Sequence, residues 1–218
     1  MSAYLDLNHI LKIDPISPDE TVIGQAAKLI EAGKVVVYPT DTVYGIGTNA
    51  LDSTAVLKIF KVKVRPIGTP MPVAVDGMQM ADMLAVISAE ARKLIAAFWP
   101  GALTLVLPKK DVVPEVVTAG HPSLALRAPN HQVPLMIIRK SKLPLIATSA
   151  NLHGAPNCIN AQEAAKQVGT HVDLILDGGP TMDTASTVLD LTREKPKVLR
   201  EGPVTRLMLR SILGHDID

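Results

Sequence analysis

The sequence holds a single cysteine, Cys158, so it can form no internal disulfide and no four-cysteine zinc site. Aromatic side chains make up only 3% of the residues, which leaves a core to be built from Val, Ile, Leu, Ala and Met. Neither sign of charge dominates: 22 Lys and Arg stand against 21 Asp and Glu, a net charge of +1. A protein whose main business is coating nucleic acid carries a strongly basic face, and this balance argues against one. No hydrophobic run approaches the roughly 20 residues of a membrane span. The start, MSAYLDLNHILKIDP, has early acidic residues and lacks the basic opening and small-residue cleavage site of an export leader. These absences predict a soluble cytoplasmic protein with no membrane partner.

What is present is enough apolar material, 47% of 218 residues, for one domain of ordinary size. Ser17-Pro-Asp-Glu20 reads as a helix start capped by Ser17, and Val22, Ile23, Ala26, Ala27 and Ile30 share one face before Gly33 ends the run. Further helices are predicted from Asp52-Ser53 to about Phe60, over Ser88–Phe98 and Val133–Lys140, after the capping box Asn160-Ala-Gln-Glu163, and after Thr205. Strands are predicted at Lys34–Tyr38, Met71–Val75, Leu103–Leu107, Ser123–Arg127, Leu145–Thr148, Leu174–Leu176, Thr187–Leu191 and Val198–Arg200. Their alternation argues for an α/β fold, an open twisted sheet flanked by helices. The connection from Leu191 to Val198 is too short for a helical crossover, so the sheet is expected to be mixed. No repeat or linker divides the chain, and a single domain over residues 1–218 is expected.

Four segments are polar where a purely structural role does not need them to be. Pro39-Thr-Asp-Thr-Val-Tyr-Gly45 follows a buried strand, the position at which α/β sheets bind ligands; its hydroxyls, carboxylate and phenol can orient a small polar substrate. A plain turn is the competing account. In Lys58-Ile-Phe-Lys-Val-Lys-Val-Arg65, Lys63 and Arg65 stand two apart and would share a face of an extended strand, offering a compact charge and a planar fork to an anion. A solvated basic edge is the alternative. Ala147-Thr-Ser-Ala-Asn151 places the Ser149 hydroxyl and the Asn151 amide side by side after a short strand, although Ser and Asn are also ordinary loop formers. Arg127 and Arg200 end apolar strands, where an unpaired arginine is costly, so each needs a ligand or a carboxylate such as Asp177 or Asp190. No GxxxxGK[ST] or GxSxG motif is present, and the histidines show no paired metal-ligand spacing. Cys158 has no base near it in sequence and reads as a buried thiol.

Eight motifs in order, YPTDTVYGIG, KIFKVKVRP, FWPGALTLVLP, SLALRAPNH, ATSANLHGAP, DLILDGGP, STVLDLT and VLREGPVT, resemble the YrdC-like threonylcarbamoyl-adenylate synthase family from about Asp19 to Thr205. The short form, without an extra C-terminal domain, is the one the chain resembles. The resemblance implies an open α/β fold around a large concave basic cavity. It implies a nucleotidyltransferase that makes threonylcarbamoyl-adenylate and pyrophosphate from L-threonine, bicarbonate and ATP with Mg2+. The product would feed the tRNA threonylcarbamoyl-transferase machinery that makes threonylcarbamoyladenosine in tRNA. The family's Lys-x-Arg and Ser-x-Asn signature falls on Lys63, Arg65, Ser149 and Asn151, implied as catalytic. By the same likeness Thr42, Tyr44, Arg127, Ala147 and Ser186 would hold threonine. Arg65, Thr69, Ser123, Ser149, Asn157 and Arg200 would hold ATP, the metal staying on its phosphates with no protein ligands. Three positions depart from the usual pattern: Val64 where many relatives have Gly, Thr69 where Asn is common, and Ala74 where some have His. Two other readings fit the resemblance: a non-catalytic module binding double-stranded RNA or tRNA, and a related carbamoyl-adenylate enzyme.

Overall fold

The computed structural model describes residues 9–218; the reading of the first eight residues as part of a leaderless start lies outside them. Two mixed sheets form where one was expected. The first has the order β1 (Ile10–Lys12), β9 (Leu174–Asp177), β2 (Val36–Tyr38), β3 (Gly45–Gly47) and β8 (Thr148–Ser149). The second runs β11 (Lys197–Arg200), β10 (Thr187–Asp190), β5 (Leu103–Pro108), β6 (Ser123–Arg127), β4 (Val73–Ala74) and β7 (Leu145–Ile146). The strand expected at Leu145–Thr148 is the reason for the difference. It breaks at Ala147, whose amide turns to the Pro72 carbonyl, so β7 joins one sheet and β8 the other.

Eight α-helices cover the sheets among the described residues. They are α1 (Glu20–Glu31), α2 (Ser53–Val62), α3 (Met78–Leu84), α4 (Ala89–Phe98), α5 (Glu115–Thr118), α6 (Gln132–Ser141), α7 (Ala161–Val168) and α8 (Arg206–Leu213). Helix α1 does not begin at Ser17. Asp14 Oδ1 takes the amides of Ile16 and Ser17, and Asp19 instead caps the helix by accepting from Thr21 and Val22. Gly33 does end it, in the left-handed region at φ 63°, where an added Cβ would lie 2.9 Å from Asp52 Oδ2. Asp52 is thereby fixed beside α1 while it caps α2 through the amides of Thr54 and Ala55. The box at Asn160 forms as predicted: Asn160 Oδ1 accepts from the Glu163 amide, and the Glu163 carboxylate accepts from Asn160 Nδ2 and the Ile159 amide.

Period-two alternation divides the second sheet into two faces. Leu103, Leu105, Leu107, Leu124, Leu126, Val73 and Leu189 point into the main core and are almost fully buried. The opposite face carries Thr104, Ala125, Arg127, Ala74, Val188 and Arg200, and faces a cavity. A second apolar cluster packs α1 and α6 onto the first sheet through Ile23, Ile30, Ile137, Ile138, Leu174 and Leu176. Among the described residues no helix is long and apolar enough to cross a membrane.

Candidate active site

The cavity has a volume of about 400 Å³, and residues of both sheets line it. Its floor is a cross-strand row: Val188 pairs with Thr104 on one side and Arg200 on the other, and Ala74 pairs with Arg127. Ala74, Ala125 and Thr104 are small, so the space opens where the opposite face of the same strands is filled with leucine. Tyr38, Thr42, Tyr44, Gly45, Ala147 and Ser149 come from the first sheet and its connections. Glycine is required under Tyr38: a Cβ on Gly47 would lie 2.5 Å from the Ile146 carbonyl and 2.9 Å from the Tyr38 hydroxyl.

Among the described residues three arginines reach the cavity, Arg65, Arg127 and Arg200, and no Asp or Glu side chain lines it. Arg127 is the most heavily engaged. Its Nε donates to the Gly101 carbonyl at 2.8 Å, its Nη1 to Thr42 Oγ1 at 3.0 Å, and its Nη2 to Asp41, behind the lining. This ion pair answers the demand for a carboxylate, but with Asp41 in place of Asp177 or Asp190; Asp190 pairs with Arg193, and Asp177 accepts from the Gly179 amide. Arg200 has no carboxylate within salt-bridge distance among the described residues. Its Nε donates to the Ser186 carbonyl at 2.9 Å and its Nη2 to Ser186 Oγ at 3.1 Å. Ser186 Oγ lies 2.8 Å from Thr104 Oγ1, so arginine, serine and threonine form one polar string along the floor. Arg65 Nη2 donates to the Pro70 carbonyl at 3.0 Å, and its Nε is buried with no hydrogen-bond partner among the described residues. Burial lowers the basicity of all three, and for Arg200 the neighbouring Arg127 adds to the effect. Cations held together at that cost form a site for an anion.

Lys63 and Arg65 do not share a strand face. Lys63 is the C-cap of α2, and Val64 takes a left-handed conformation at φ 50°, while the Arg65 amide bonds back to the Phe60 carbonyl. Helix closure therefore sends the two side chains apart: Arg65 lines the cavity and Lys63, 2% exposed, does not. The Lys63 ammonium donates to the carbonyls of Ser149 and Asn151 and lies 3.4 Å from Asn151 Oδ1. Burial, with Arg65 as a smaller contributor, lowers its pKa to about 8.

The other predicted residues divide in the same way. Thr42, Tyr44, Ala147, Ser149, Asn157 and Ser186 line the cavity. Asn151 is buried behind Ser149. Thr69 lies outside the lining and bonds to the Pro66 carbonyl. Ser123 shares the face of Ala125 and Arg127 but stands beyond the lining at the start of β6. The Tyr44 phenol is committed to the protein, donating to the Gly179 carbonyl at 2.7 Å and accepting from the Gly178 amide, and burial pushes its pKa up to about 12. Thr104 and Tyr38 line the cavity without having been expected there. Thr104 was discoverable, as the one polar residue within the buried strand Leu103–Leu107. Among the described residues no group of three or more His, Cys, Asp or Glu side chains could hold a metal ion. Cys158 is buried with its thiol against the Ala150 carbonyl, and burial raises its pKa to about 11.

Comparison with known proteins bears on this cavity. The Sua5/YciO/YrdC family model, described as telomere recombination, matches residues 28–202. The threonylcarbamoyl-AMP synthase of Pyrococcus abyssi is 41% identical over 199 residues, 90% of this chain and 58% of its own. That of Bacillus subtilis is 41% identical over 204 residues, 92% of this chain and 59% of its own. The chain thus spans less than two thirds of the length of these relatives. The crystal structure of Pyrococcus abyssi Sua5 complexed with L-threonine superposes with a TM-score of 0.92 at 40% identity, covering 95% of this chain and 62% of that one.

Proposed function

Because the chain belongs to the Sua5/YciO/YrdC family, we propose that it is a threonylcarbamoyl-AMP synthase acting in tRNA threonylcarbamoyladenosine formation. Its substrates are L-threonine, bicarbonate and ATP. The observation that carries the reading is the convergence of Arg65, Arg127 and Arg200 on a cavity that no carboxylate among the described residues lines. A triphosphate and an amino-acid carboxylate are the anions the reaction brings together. Likeness to relatives named for this activity, and to a structure holding L-threonine, supports the same choice.

Threonine's carboxylate would meet Arg127, with Thr42 and Ser186 beside it and Ala147 against its side chain. Arg65 and Arg200 would face the phosphates, with Ser149 and Asn157 along the nucleotide. The threonine amine adds to bicarbonate with loss of water and gives a carbamate. A carbamate oxygen then attacks the α-phosphorus, the bond to the β-phosphate oxygen breaks, and pyrophosphate leaves. The protein's part is positioning and charge stabilisation, for which arginines fixed by hydrogen bonds around one cavity are suited. The Arg65 Nε, without a hydrogen-bond partner among the described residues, can donate to a phosphate oxygen. Because no group of three or more His, Cys, Asp or Glu among those residues could hold a metal, Mg2+ would arrive on the nucleotide's phosphates. It would offset charge on the leaving pyrophosphate. The adenylate would pass to the transferase that modifies tRNA.

Pyrophosphate release from Mg-ATP tests this reading. Release should require both L-threonine and bicarbonate, and Arg65→Ala or Arg200→Ala should slow it by about 100-fold or more while circular dichroism stays native. Release that ignores threonine would overturn the assignment.

A further inference from the structure

The Lys63 ammonium is placed to do something other than meet a substrate. It is 2% exposed, and three protein oxygens surround it: the Ser149 carbonyl, the Asn151 carbonyl and Asn151 Oδ1. Its own carbonyl accepts from the His153 amide, so backbone and side chain together hold the 149–153 segment against the end of α2. This contact also fixes the orientation of the Asn151 amide. An ammonium cannot face an NH2 group, so Oδ1 must point toward Lys63, and Nδ2 is left to donate to the Ala155 carbonyl at 2.6 Å. The Ser149 hydroxyl then has one course. Its neighbour is an acceptor with no proton to give, so it donates to Asn151 Oδ1. Ser149 lines the cavity, and with its proton turned inward its oxygen carries only lone pairs toward the ligand.

We propose that Lys63 is a positioning residue that acts through Asn151, fixing Ser149 so that its oxygen meets the ligand as a hydrogen-bond acceptor. The proposal rests on the reading of this cavity as the adenylate-forming site and refines it. Ser149 is thereby excluded from donating to an unprotonated phosphate oxygen. Its partner is an N–H or O–H donor, either a ribose hydroxyl of the nucleotide or the nitrogen of the amino-acid substrate.

A double-mutant cycle on kcat/KM for pyrophosphate release separates this role from direct contact with phosphate. Ser149→Ala and Lys63→Met should each cost about 10- to 100-fold, and the double variant no more than about threefold beyond the worse single one. Costs that multiply would overturn the proposal, because the two residues would then act separately. Should Lys63→Met fail to fold, the Asn151 pair replaces it. Asn151→Asp keeps an acceptor for both donors and should retain at least about tenfold more activity than Asn151→Leu, which keeps none; equal losses would overturn the relay. With 2′-deoxy- or 3′-deoxy-ATP, a cost of Ser149→Ala that disappears identifies the ribose as the donor, and a cost that persists with both identifies the substrate nitrogen.

A catalysis-free measurement keeps the relay distinct from the functional reading. The side-chain amide resonances of Asn151, assigned by 15N NMR in the wild type, should shift and exchange faster in a folded lysine variant, Lys63→Met or Lys63→Gln. Unchanged resonances would contradict the relay even if the wild type makes product. Changed resonances in a protein that releases no pyrophosphate would leave the relay standing and remove the synthase reading.

Discussion

Val64 stands at φ 50° and is 74% exposed, so it bears the strain of a left-handed turn with little packing in return. That conformation costs a residue with a Cβ about 1–2 kcal/mol, which glycine does not incur. Val64→Gly is therefore expected to raise stability by about 1 kcal/mol, read as a higher denaturant midpoint at unchanged slope. A lower midpoint would show that the valine side chain packs usefully. The residue on its N-terminal side gives a pH prediction with two opposite signs. Lys63, with Arg65 and Cys158 as its charged or titratable neighbours, has a folded-state pKa of about 8 against the ordinary lysine value of 10.5. Between those values the unfolded chain binds more protons than the folded one, so the lysine's contribution to stability rises with pH across that window. The relay needs the ammonium, so kcat/KM should fall as pH rises through about 8. Parallel decline of stability and activity would contradict the account. Asp41→Ala leaves the Arg127 guanidinium unpaired, with the two side chains only 14% and 16% exposed in the native pair. A stability loss of about 2 kcal/mol is expected in thermal melts, less than for a dry pair because the cavity admits water.

The elements that were legible in the sequence are those with periodicity and caps. Helices α1, α2, α4, α6, α7 and α8 all fall within a few residues of their predicted bounds, because a cap or an apolar face marks each one. The misses have physical reasons. Strand β3 is Gly45-Ile46-Gly47, too short and glycine-rich to carry a strand signal; its glycines exist to admit Tyr38. Helix α5 spans only four residues, and α3 follows Gly77, which offers no side-chain cap. The turn after α2 is hidden in the sequence because Val64 is β-branched and favours an extended backbone, whereas helix closure imposes the left-handed conformation. The connection after β11 shows how elements carry the site. A Cβ on Gly202 would lie 2.5 Å from the Ala185 carbonyl and 2.5 Å from the Thr187 amide, which flank Ser186. Gly202→Ala must push this loop off Ser186 and Arg200. It is expected to cost about 1–3 kcal/mol in stability and to weaken ATP binding, measured by calorimetric titration. Native affinity in that variant would show that the floor string is not part of the nucleotide site.

At the scale of the molecule, the mixed α/β class was legible from alternating strands and helices, while the division into two sheets was not. The division turns on one residue, Ala147, at which a strand leaves one sheet for the other, and no local pattern announces such a change. The candidate site was legible as residue types: nine of the predicted positions line one cavity although they come from opposite ends of the chain. Geometry alone could separate the residues that face the ligand from those behind them, Lys63 and Asn151. In the proposed reaction this arginine-lined cavity joins threonine, bicarbonate and the adenylyl group of ATP. The most direct test is mass spectrometry of the products formed from Mg-ATP, L-threonine and 13C-bicarbonate. A threonylcarbamoyl-adenylate ion carrying the 13C label, absent without enzyme or without threonine, is the predicted result. A folded, ATP-binding protein that yields no labelled adenylate would contradict the account.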